Sequence, residues 1–546
     1  MESTCILSGK KFIITDREKR YCEERGMPLP KQRPLERWRQ IASFRNRINL
    51  FNSKCALSGR TMLSCIPPSR GFTVYDLEAW NGDSWDPQSF GISYNPDRPF
   101  FEQFNELLHK VPLPNLNVVV GTMENSDYVN GAMNLKNCYL CFSTLRCSDT
   151  MFAWAVFDSQ TVLDSINSYF CEIGYACYDA IKCYNCTFVE SCHSCSDSSF
   201  LFNCQSCKHC FGCVNLNNKE YYWYNEPLTK EEFEKQKTKF NSGSRKAIED
   251  EQRKFAEFKK AFPIKYYQGK NVDNCSGNYL NESKDSHNTF FSSNCIDADD
   301  CWLLIGGKDC FDVLSSSKCE LCYAVQSGVN YNCRYCNESI ANNRNLEWCM
   351  YTNTSSDCFG CISLRKNQYC ILNKQYSKEE YERLTKEIKN DMMKRNEFED
   401  FFPRKLSPFH YNESDAMLWF PLSKEEALAK GFSWQDETPS EKQINLIDIP
   451  DDIRDITDSI LDQTLTCTQS GKQYRITRQE LDFYRRLQLP IPTIAPLQRI
   501  ANMGKYFFTS PELHGGNCAE CNKPFETTYD TSKQKVFCEE CYLKTL

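Results

Sequence analysis

Hydrophobic and polar positions along the middle of this chain repeat in threes. The thirteen cysteines from Cys138 to Cys213 all share one phase of that count. Independent phasing would do this about once in 500,000 chains, so the region is a repeat array. From Ser126 to Leu216 the same lane holds only Ser, Val, Ala, Leu, Cys, Thr and Gly. A lane that is always small and never charged points into a narrow interior. Strands repeat at two residues and helices at 3.6, so neither explains it. Short coils with three-residue sides do, and four sides make a coil of about 12 residues. The outward lanes agree: Phe142, Trp154, Ile166, Tyr178, Phe202 and Val214 recur twelve apart, interrupted by Glu190. Half a coil away lie Ser148, Gln160, Glu172, Tyr184, Ser196 and Lys208, mostly polar. Residues 120–217 therefore read as a first β-solenoid, its coils stacked roughly 4.8 Å apart.

A second solenoid is expected over 272–365. Its small-residue lane runs from Gly277 to Gly328, slips at Cys333 and Cys336, and recovers at Cys349, Cys358 and Cys361. A bulge or loop would cause such a slip. Both arrays end alike, in Cys210-Phe211-Gly212-Cys213 and Cys358-Phe359-Gly360-Cys361, 148 residues apart. Each is followed by a capping box, Thr229 with Glu232 and Ser377 with Glu380, and by Phe262-Pro263 or Phe402-Pro403. Residues 218–271 and 366–466 thus read as capping helices with connectors, the second holding another box at Ser423/Glu426 and a short helix near 450–461. The tight, cysteine-filled coils resemble the right-handed β-helices of certain insect antifreeze proteins, without their flat Thr ladder.

The ends are duplicated too. Cys5-x2-Ser8-Gly9-Lys10 aligns with Cys467-x2-Ser470-Gly471-Lys472, and Glu18, Pro34 and Arg37 align with Glu480, Pro496 and Arg499. Cys55-x2-Ser58 aligns with Cys518-x2-Cys521 after one inserted residue. The expected fold is mainly β with short helices. Two tandem short-coil β-helix solenoids are flanked by duplicated small modules: a degenerate zinc-ribbon-like one at 1–119 and a zinc ribbon at 467–546.

Composition sharpens this. The 34 cysteines accompany no apolar leader and no apolar run near 18 residues, so reduced thiols in the cytoplasm, with no membrane span, are the expectation. The net charge of −7 is uneven. Residues 1–60 hold 14 Lys/Arg against 6 Asp/Glu, and residues 467–546 hold 11 against 8, which leaves −18 for the middle. Contact with a polyanion would therefore belong to the ends.

Cys518-x2-Cys521 and Cys538-x2-Cys541 are spaced as two zinc knuckles. Four thiolates can enclose one tetrahedral Zn²⁺ and leave no position for water, so one structural zinc is expected. Upstream, Arg33-Pro34-Leu35-Glu36 and Ala495-Pro496-Leu497-Gln498 stand where further knuckles would lie, so no first zinc forms in either module. Arg37, Trp38, Arg39, Arg45 and Arg47 interleave basic and aromatic residues, a pattern that binds phosphates and stacks on unpaired bases. Equally, it describes a basic face with Trp38 and Phe44 in a module core. His193 and His209 are candidate metal ligands or acyl-transfer bases but sit off the inward lane, without a nucleophile pairing. Stacked thiols such as Cys171, Cys183, Cys195 and Cys207 suit packing better than chelation or cross-linking.

The chain resembles large cysteine-rich proteins encoded by ultrasmall bacteria with reduced genomes. Matching elements include Cys5-x2-Ser8-Gly9, Pro99-Phe100-Phe101-Glu102-Gln103-Phe104, Cys358-Phe359-Gly360-Cys361, Leu406-Ser407-Pro408-Phe409 and Cys538-Glu539-Glu540-Cys541-Tyr542. The resemblance implies a zinc-binding β-solenoid and no known reaction. It also implies a second zinc in relatives that keep Cys-x2-Cys where this chain has Cys467-x2-Ser470. The leading functional expectation is a non-enzymatic scaffold, with protein partners on the solenoid faces and RNA or a ribosomal particle at the basic N-terminal module. An acyl-transfer or thiol-dependent enzyme, and metal or redox buffering, are the alternatives.

Overall fold

The three-residue period has a backbone cause. From Asn125 to Tyr224, every third residue adopts the left-handed conformation, with φ between 45° and 69°. Each such residue turns the chain one position before an inward side chain. An L-residue there costs roughly 1–2 kcal/mol, least for Asn and Asp, whose short polar groups bond locally. Thirteen of these corners are Asn or Asp, Asn137, Asp149, Asn185 and Asp197 among them. Several bond to the residue twelve ahead: Asn137 Nδ2 donates to Asp149 Oδ1 at 3.0 Å, and Asn185 to Asp197 at 2.8 Å.

In the computed structural model, which describes residues 1–317, 320–326, 328, 330–398, 401–436, 449–507 and 512–545, the chain is mainly β. Two large sheets dominate, parallel apart from a closing hairpin on each. In the first, from Met123 to Pro227, the parallel register is i to i+12 throughout, as in Glu172–Tyr184 and Lys208–Glu220. The second runs from Gly269 to Gln375. Its phase slip is an exchange of coil lengths: Val325 pairs with Cys336, eleven ahead, and Arg334 pairs with Glu347, thirteen ahead. A short turn followed by a long one returns Cys349 to phase, and Cys333 and Cys336 stay buried. Cys319 lies outside the described residues.

The inward lanes form two separate cores of Cys, Ala, Val and Leu. Their thiols are placed to donate to inward carbonyls. Cys204 Sγ lies 3.4 Å from Phe202 O and 3.5 Å from Cys213 O, and the same pair of offsets recurs along both arrays. Serine fills the lane equally well: Ser198 Oγ donates to Ser196 O and accepts from Cys210 N, twelve ahead. A small, weakly polar side chain satisfies a corner that a bulky one could not enter.

The helices lie outside the arrays. The N-terminal module holds α1 (Asp16–Glu24), α2 (Pro34–Ala42), α3 (Leu77–Asn81) and α4 (Phe100–Lys110). After the first array come α5 (Lys230–Lys239) and α6 (Arg245–Lys259); after the second come α7 (Lys378–Lys394), α8 (Asp415–Trp419) and α9 (Lys424–Ala429). The C-terminal module holds α10 (Arg478–Leu487), α11 (Pro496–Phe507) and α12 (Glu539–Leu543). The three capping boxes close as expected, at Thr229, Ser377 and Ser423. The single helix expected after the first array is two helices, because the chain turns at Asn241–Gly243 and restarts on Ser244, which caps Ala247 N. The short helix expected near 450–461 is a pair of 3₁₀ turns, Ile453–Asp455 and Asp458–Asp462. Residues 437–448 of the expected linker lie outside the described residues.

The modules cross over. The N-terminal module packs on the second array, where Trp38 Nε1 donates to Asp300 O and Tyr21 OH to Leu321 O. The C-terminal module packs on the first, where Gln479 Nε2 donates to Asn137 O and Tyr484 meets the ring of Tyr175 edge-on. The apolar column of the first array is covered within the chain: Trp154 is buried and stacks on Trp419, which also touches Trp302 of the second array.

Candidate metal centre

Four loops of the two modules share one turn. In each, a cysteine N–H donates to the carbonyl five residues on, at 2.9 Å: Cys5 to Lys10, Cys55 to Arg60, Cys467 to Lys472 and Cys518 to Lys523. The residue four places on donates back to the cysteine carbonyl and is left-handed: Gly9, Gly59, Gly471 and Asn522. This turn aims the N–H groups of the loop at the first sulfur. Ser58 N and Ser470 N each lie 3.4 Å from Cys55 Sγ and Cys467 Sγ.

Among the described residues, one loop brings together a full donor set. The Sγ atoms of Cys518, Cys521, Cys538 and Cys541 lie within 4.8 Å of one another. Cys521 Sγ and Cys538 Sγ are 3.6 Å apart. Four thiolates about 2.3 Å from a tetrahedral Zn²⁺ would stand roughly 3.8 Å from each other, so the set fits such an ion. The second knuckle opens α12, and Cys538 N donates to Cys518 Sγ at 3.3 Å. Burial pushes the Cys518 thiol up, but backbone N–H groups of Cys521, Cys538 and Glu520 outweigh it and draw it down to about 6, which favours the thiolate a metal needs. Three of the four cysteines are buried and Cys521 is exposed. The group is anchored to the rest of the chain through Ile264–Lys265, which pairs with Val536–Phe537, and through Tyr266 stacked on Phe525.

In the Cys5, Cys55 and Cys467 loops, hydrogen bonds from the loop surround the single sulfur. At Cys55, position Asp76 stands where Cys538 stands in the complete set, and Ala79 where Cys541 stands. Asp76 N donates to Cys55 Sγ at 3.4 Å, Ser58 Oγ donates to Asp76 Oδ2 at 3.0 Å, and Arg60 pairs with both Asp76 and Glu78. The Arg60–Glu78 pair matches Lys523–Glu540 in the complete loop. Sequence reading missed this replacement, although Asp76-Leu77-Glu78-Ala79 lies 462 residues before Cys538-Glu539-Glu540-Cys541, the offset that aligns Cys5 with Cys467. At Cys5 and Cys467 burial again acts upward. Hydrogen bonds from Ser8 and the Arg33 backbone, and from Ser470 and the Ala495 backbone, lower those thiols.

The five basic and aromatic residues read as a nucleic-acid face lie inside the protein. Arg37, Trp38, Arg39, Arg45 and Arg47 are all at most 8% exposed. Arg37 meets Glu18 at 3.2 Å, Asp300 at 2.9 Å and Asp312 at 2.7 Å. Arg39 pairs with Glu36, and Arg45 lies 3.3 Å from Glu338 and 3.7 Å from Asp415. Arg47 N donates to Asp415 and its guanidinium to Ser143. Carboxylates of this chain hold the positions where phosphates were expected. His193 Nδ1 meets the hydroxyl of its own neighbour Ser194 at 2.9 Å, and His209 stacks on Tyr221.

No protein-family profile matches the chain. No curated protein matches it either. A solved structure provisionally assigned as an acetyltransferase of Desulfovibrio desulfuricans G20 aligns with 10% identity over 42% of this chain and 65% of that one, at a TM-score of 0.10. A likeness that slight carries no argument about fold or reaction. Among the described residues, no helix is long and apolar enough to cross a membrane.

Proposed function

We propose that this protein is a non-enzymatic, zinc-binding scaffold: two tandem β-solenoids of about 12-residue coils, clamped by duplicated end modules of which the C-terminal one is a zinc ribbon. The observation that carries the reading is the closed set of Cys518, Cys521, Cys538 and Cys541. Four protein sulfurs fill the coordination of Zn²⁺ and leave no site for substrate or water, which is the arrangement of a structural ion. Among the described residues the array thiols support the same reading, because all but the half-buried Cys275 are buried, and they are engaged with carbonyls rather than gathered around a cleft. The scaffold would act in the cytoplasm and present protein-binding faces on the wet lanes of the arrays, where Gln160, Glu172, Tyr184 and Lys208 are exposed. A ribonucleoprotein partner would have to use such outer surfaces, since the arginines from Arg37 to Arg47 are committed inside.

Elemental analysis of the native protein tests the metal: one zinc per chain is expected, lost in Cys538→Ser. Several metals per chain, removed by thiol reagents that reach the arrays, would instead make the arrays a metal store. Affinity capture with and without nuclease tests the scaffold, which requires a stoichiometric protein or ribonucleoprotein partner.

A further inference from the structure

Each array carries a column of four rings. In the first, Tyr175, Phe188, Phe200 and Phe211 follow one another at 5.4, 4.7 and 5.2 Å between ring centres. In the second, Tyr323, Tyr335, Trp348 and Phe359 follow at 5.9, 4.4 and 5.4 Å. The second ring of each column is treated differently. Tyr335 is buried beneath Phe398, which lies 5.9 Å from it and 4.9 Å from Trp348. Phe188 is half-buried, and among the described residues no ring from outside its column lies on it. A counterpart of the filler does exist in sequence, because Glu257-Phe258-x3-Phe262-Pro263 recurs 140 residues on as Glu397-Phe398-x3-Phe402-Pro403. The capping boxes before these motifs are 148 residues apart, so the first connector is the longer one, and it turns at Asn241–Gly243 into α6. Phe258 is thereby carried onto Tyr224 and Phe262, at 4.8 and 4.9 Å. The place over Phe188 is left as an open cleft of about 670 Å³ between the array, α6 and the Pro490–Ile494 loop.

We infer that this cleft binds a small uncharged aromatic molecule, its ring set over Phe188 as Phe398 is set over Tyr335. Rings attract one another edge-to-face or offset, at about 4.5–7 Å between centres. Tyr175, Tyr178 and Phe188 offer such a wall, with Ile248 and Ala256 of α6 opposite. The volume falls within the range of about 300–1,000 Å³ found for small-molecule sites. The charges around the cleft are already committed. Arg499 holds Asp164 at 3.1 Å, Lys259 holds Glu190 at 2.6 Å, and Arg253 pairs with Asp250. Arg245 donates to the carbonyls of Ile491 and Ile449, and Glu249 stands exposed on α6. A charged ligand would give up its water without gaining a counter-ion, which selects for an uncharged one. The site is separate from the cysteine cluster and needs neither metal nor a partner protein.

The test uses the full-length protein and two fluorescent probes of similar shape, neutral N-phenyl-1-naphthylamine and anionic 1-anilinonaphthalene-8-sulfonate. The neutral probe should bind at one saturable site per chain, at least fivefold tighter than the anion. Ala256→Phe puts a ring into the cleft from an exposed position on α6 and should weaken the neutral probe at least tenfold. Gln252→Trp, one turn earlier and also exposed, should do the same. Lys246→Phe, exposed on the same helix but off the cleft, should leave the affinity within twofold. All three substitutions lie at exposed positions, so the core is untouched and the two cleft variants check each other. Absence of saturable binding, several weak sites, equal affinity for both probes, or an affinity unmoved by both cleft variants would overturn the inference.

Discussion

The first array with its C-terminal module and the second array with its N-terminal module are two versions of one plan. In the first, Arg499 joins Glu480 of the module to Asp164 of the array, at 3.3 and 3.1 Å. In the second, Arg37 joins Glu18 to Asp312 and adds Asp300. Asp164 and Asp312 are separated by the 148 residues that separate the arrays, and the arginines and glutamates by the 462 that separate the modules. The docking joint has been kept twice, with crossed partners. What differs is the filling. Beside the first array, Tyr175, Tyr178 and Phe188 are half-buried and line a cleft of about 670 Å³ closed on its far side by α6 and the Pro490–Ile494 loop. Their counterparts Tyr323, Gln326 and Tyr335 are buried, and Phe398 covers Tyr335 and Trp348 at 5.9 and 4.9 Å. One joint thus tolerates both a packed and an open surround, so the ion pair sets the docking and the aromatic filling sets how tightly it closes.

The largest difference between the halves should appear on metal removal. Structural zinc contributes about 10–16 kcal/mol of apparent binding free energy in small zinc domains. Chelation, or Cys518→Ser, should therefore unfold residues 512–545, read as loss of hydrogen-exchange protection there. The Cys55 loop, held by Ser58, Asp76 and Arg60, should be indifferent to chelator. Equal sensitivity in both loops would show that the hydrogen-bonded copy also binds metal.

The joints come next. Removing one member of a buried ion pair costs about 3–5 kcal/mol, because the partner charge is left buried. Arg37→Met should reach the top of that range with three carboxylates orphaned, and Arg499→Met should cost less with two, as measured by denaturant midpoints. The cost should depend on pH with a definite sign. Burial raises the carboxyls of Asp312, Asp300, Asp164 and Glu480, even against the pull of the arginines. A carboxyl whose folded pKa exceeds its unfolded one favours the folded state at low pH and loses that advantage as pH rises through the folded value. Removing the arginine raises these carboxyls further. The deficit of Arg37→Met should then shrink on acidification, as pH falls through the folded values of these carboxyls. A deficit that grows on acidification would mean that the carboxylates, not the arginine, limit the joint.

The filling can be exchanged between halves. Phe398→Ala should cost about 3 kcal/mol, in the range for a buried aromatic. Ala256→Phe, from an exposed position on the open cleft, should gain about 1 kcal/mol by partial filling. Loss of stability in Ala256→Phe would indicate that the first cleft is narrower than its wall residues suggest.

These contrasts show what could be read beforehand. The inward lane was legible because one physical demand, smallness, acts at every third position and cysteine meets it well. The capping boxes were legible because Thr229/Glu232 and its relatives are local. The crossed docking was not: nothing near Arg37 in sequence announces Asp312, and a basic, aromatic helix looks the same whether its charges face phosphate or a distant carboxylate. The loss of sulfur beside Cys55 was legible, but the second half of that site was hidden, because Asp76 and Ala79 keep the backbone of a knuckle without its sulfur. The corner lane was readable and was missed. Asn125, Asn134, Asn137, Asp149, Asp158, Asp164 and Asn167 sit one place before the cysteine lane, where a left-handed turn favours them.

That lane offers the smallest and cleanest comparison. Asn185 turns a corner at φ 50° and donates to Asp197 at 2.8 Å; Asn345 does the same in the second array at φ 55°, donating to Asp357 at 2.8 Å. Replacement by Gly removes the hydrogen bond and keeps an unstrained corner, whereas Ala removes the bond and adds left-handed strain. The Gly variants should lose about 0.5–1 kcal/mol, the net worth of one hydrogen bond. The Ala variants should lose about 1 kcal/mol more, the cost of an L-residue in that conformation. The Ala-minus-Gly difference isolates the corner from its ladder and should be equal at positions 185 and 345, because the backbone turn is the same in both arrays. Unequal differences would place the divergence of the two halves in the coils themselves, beneath the joints and clefts built upon them.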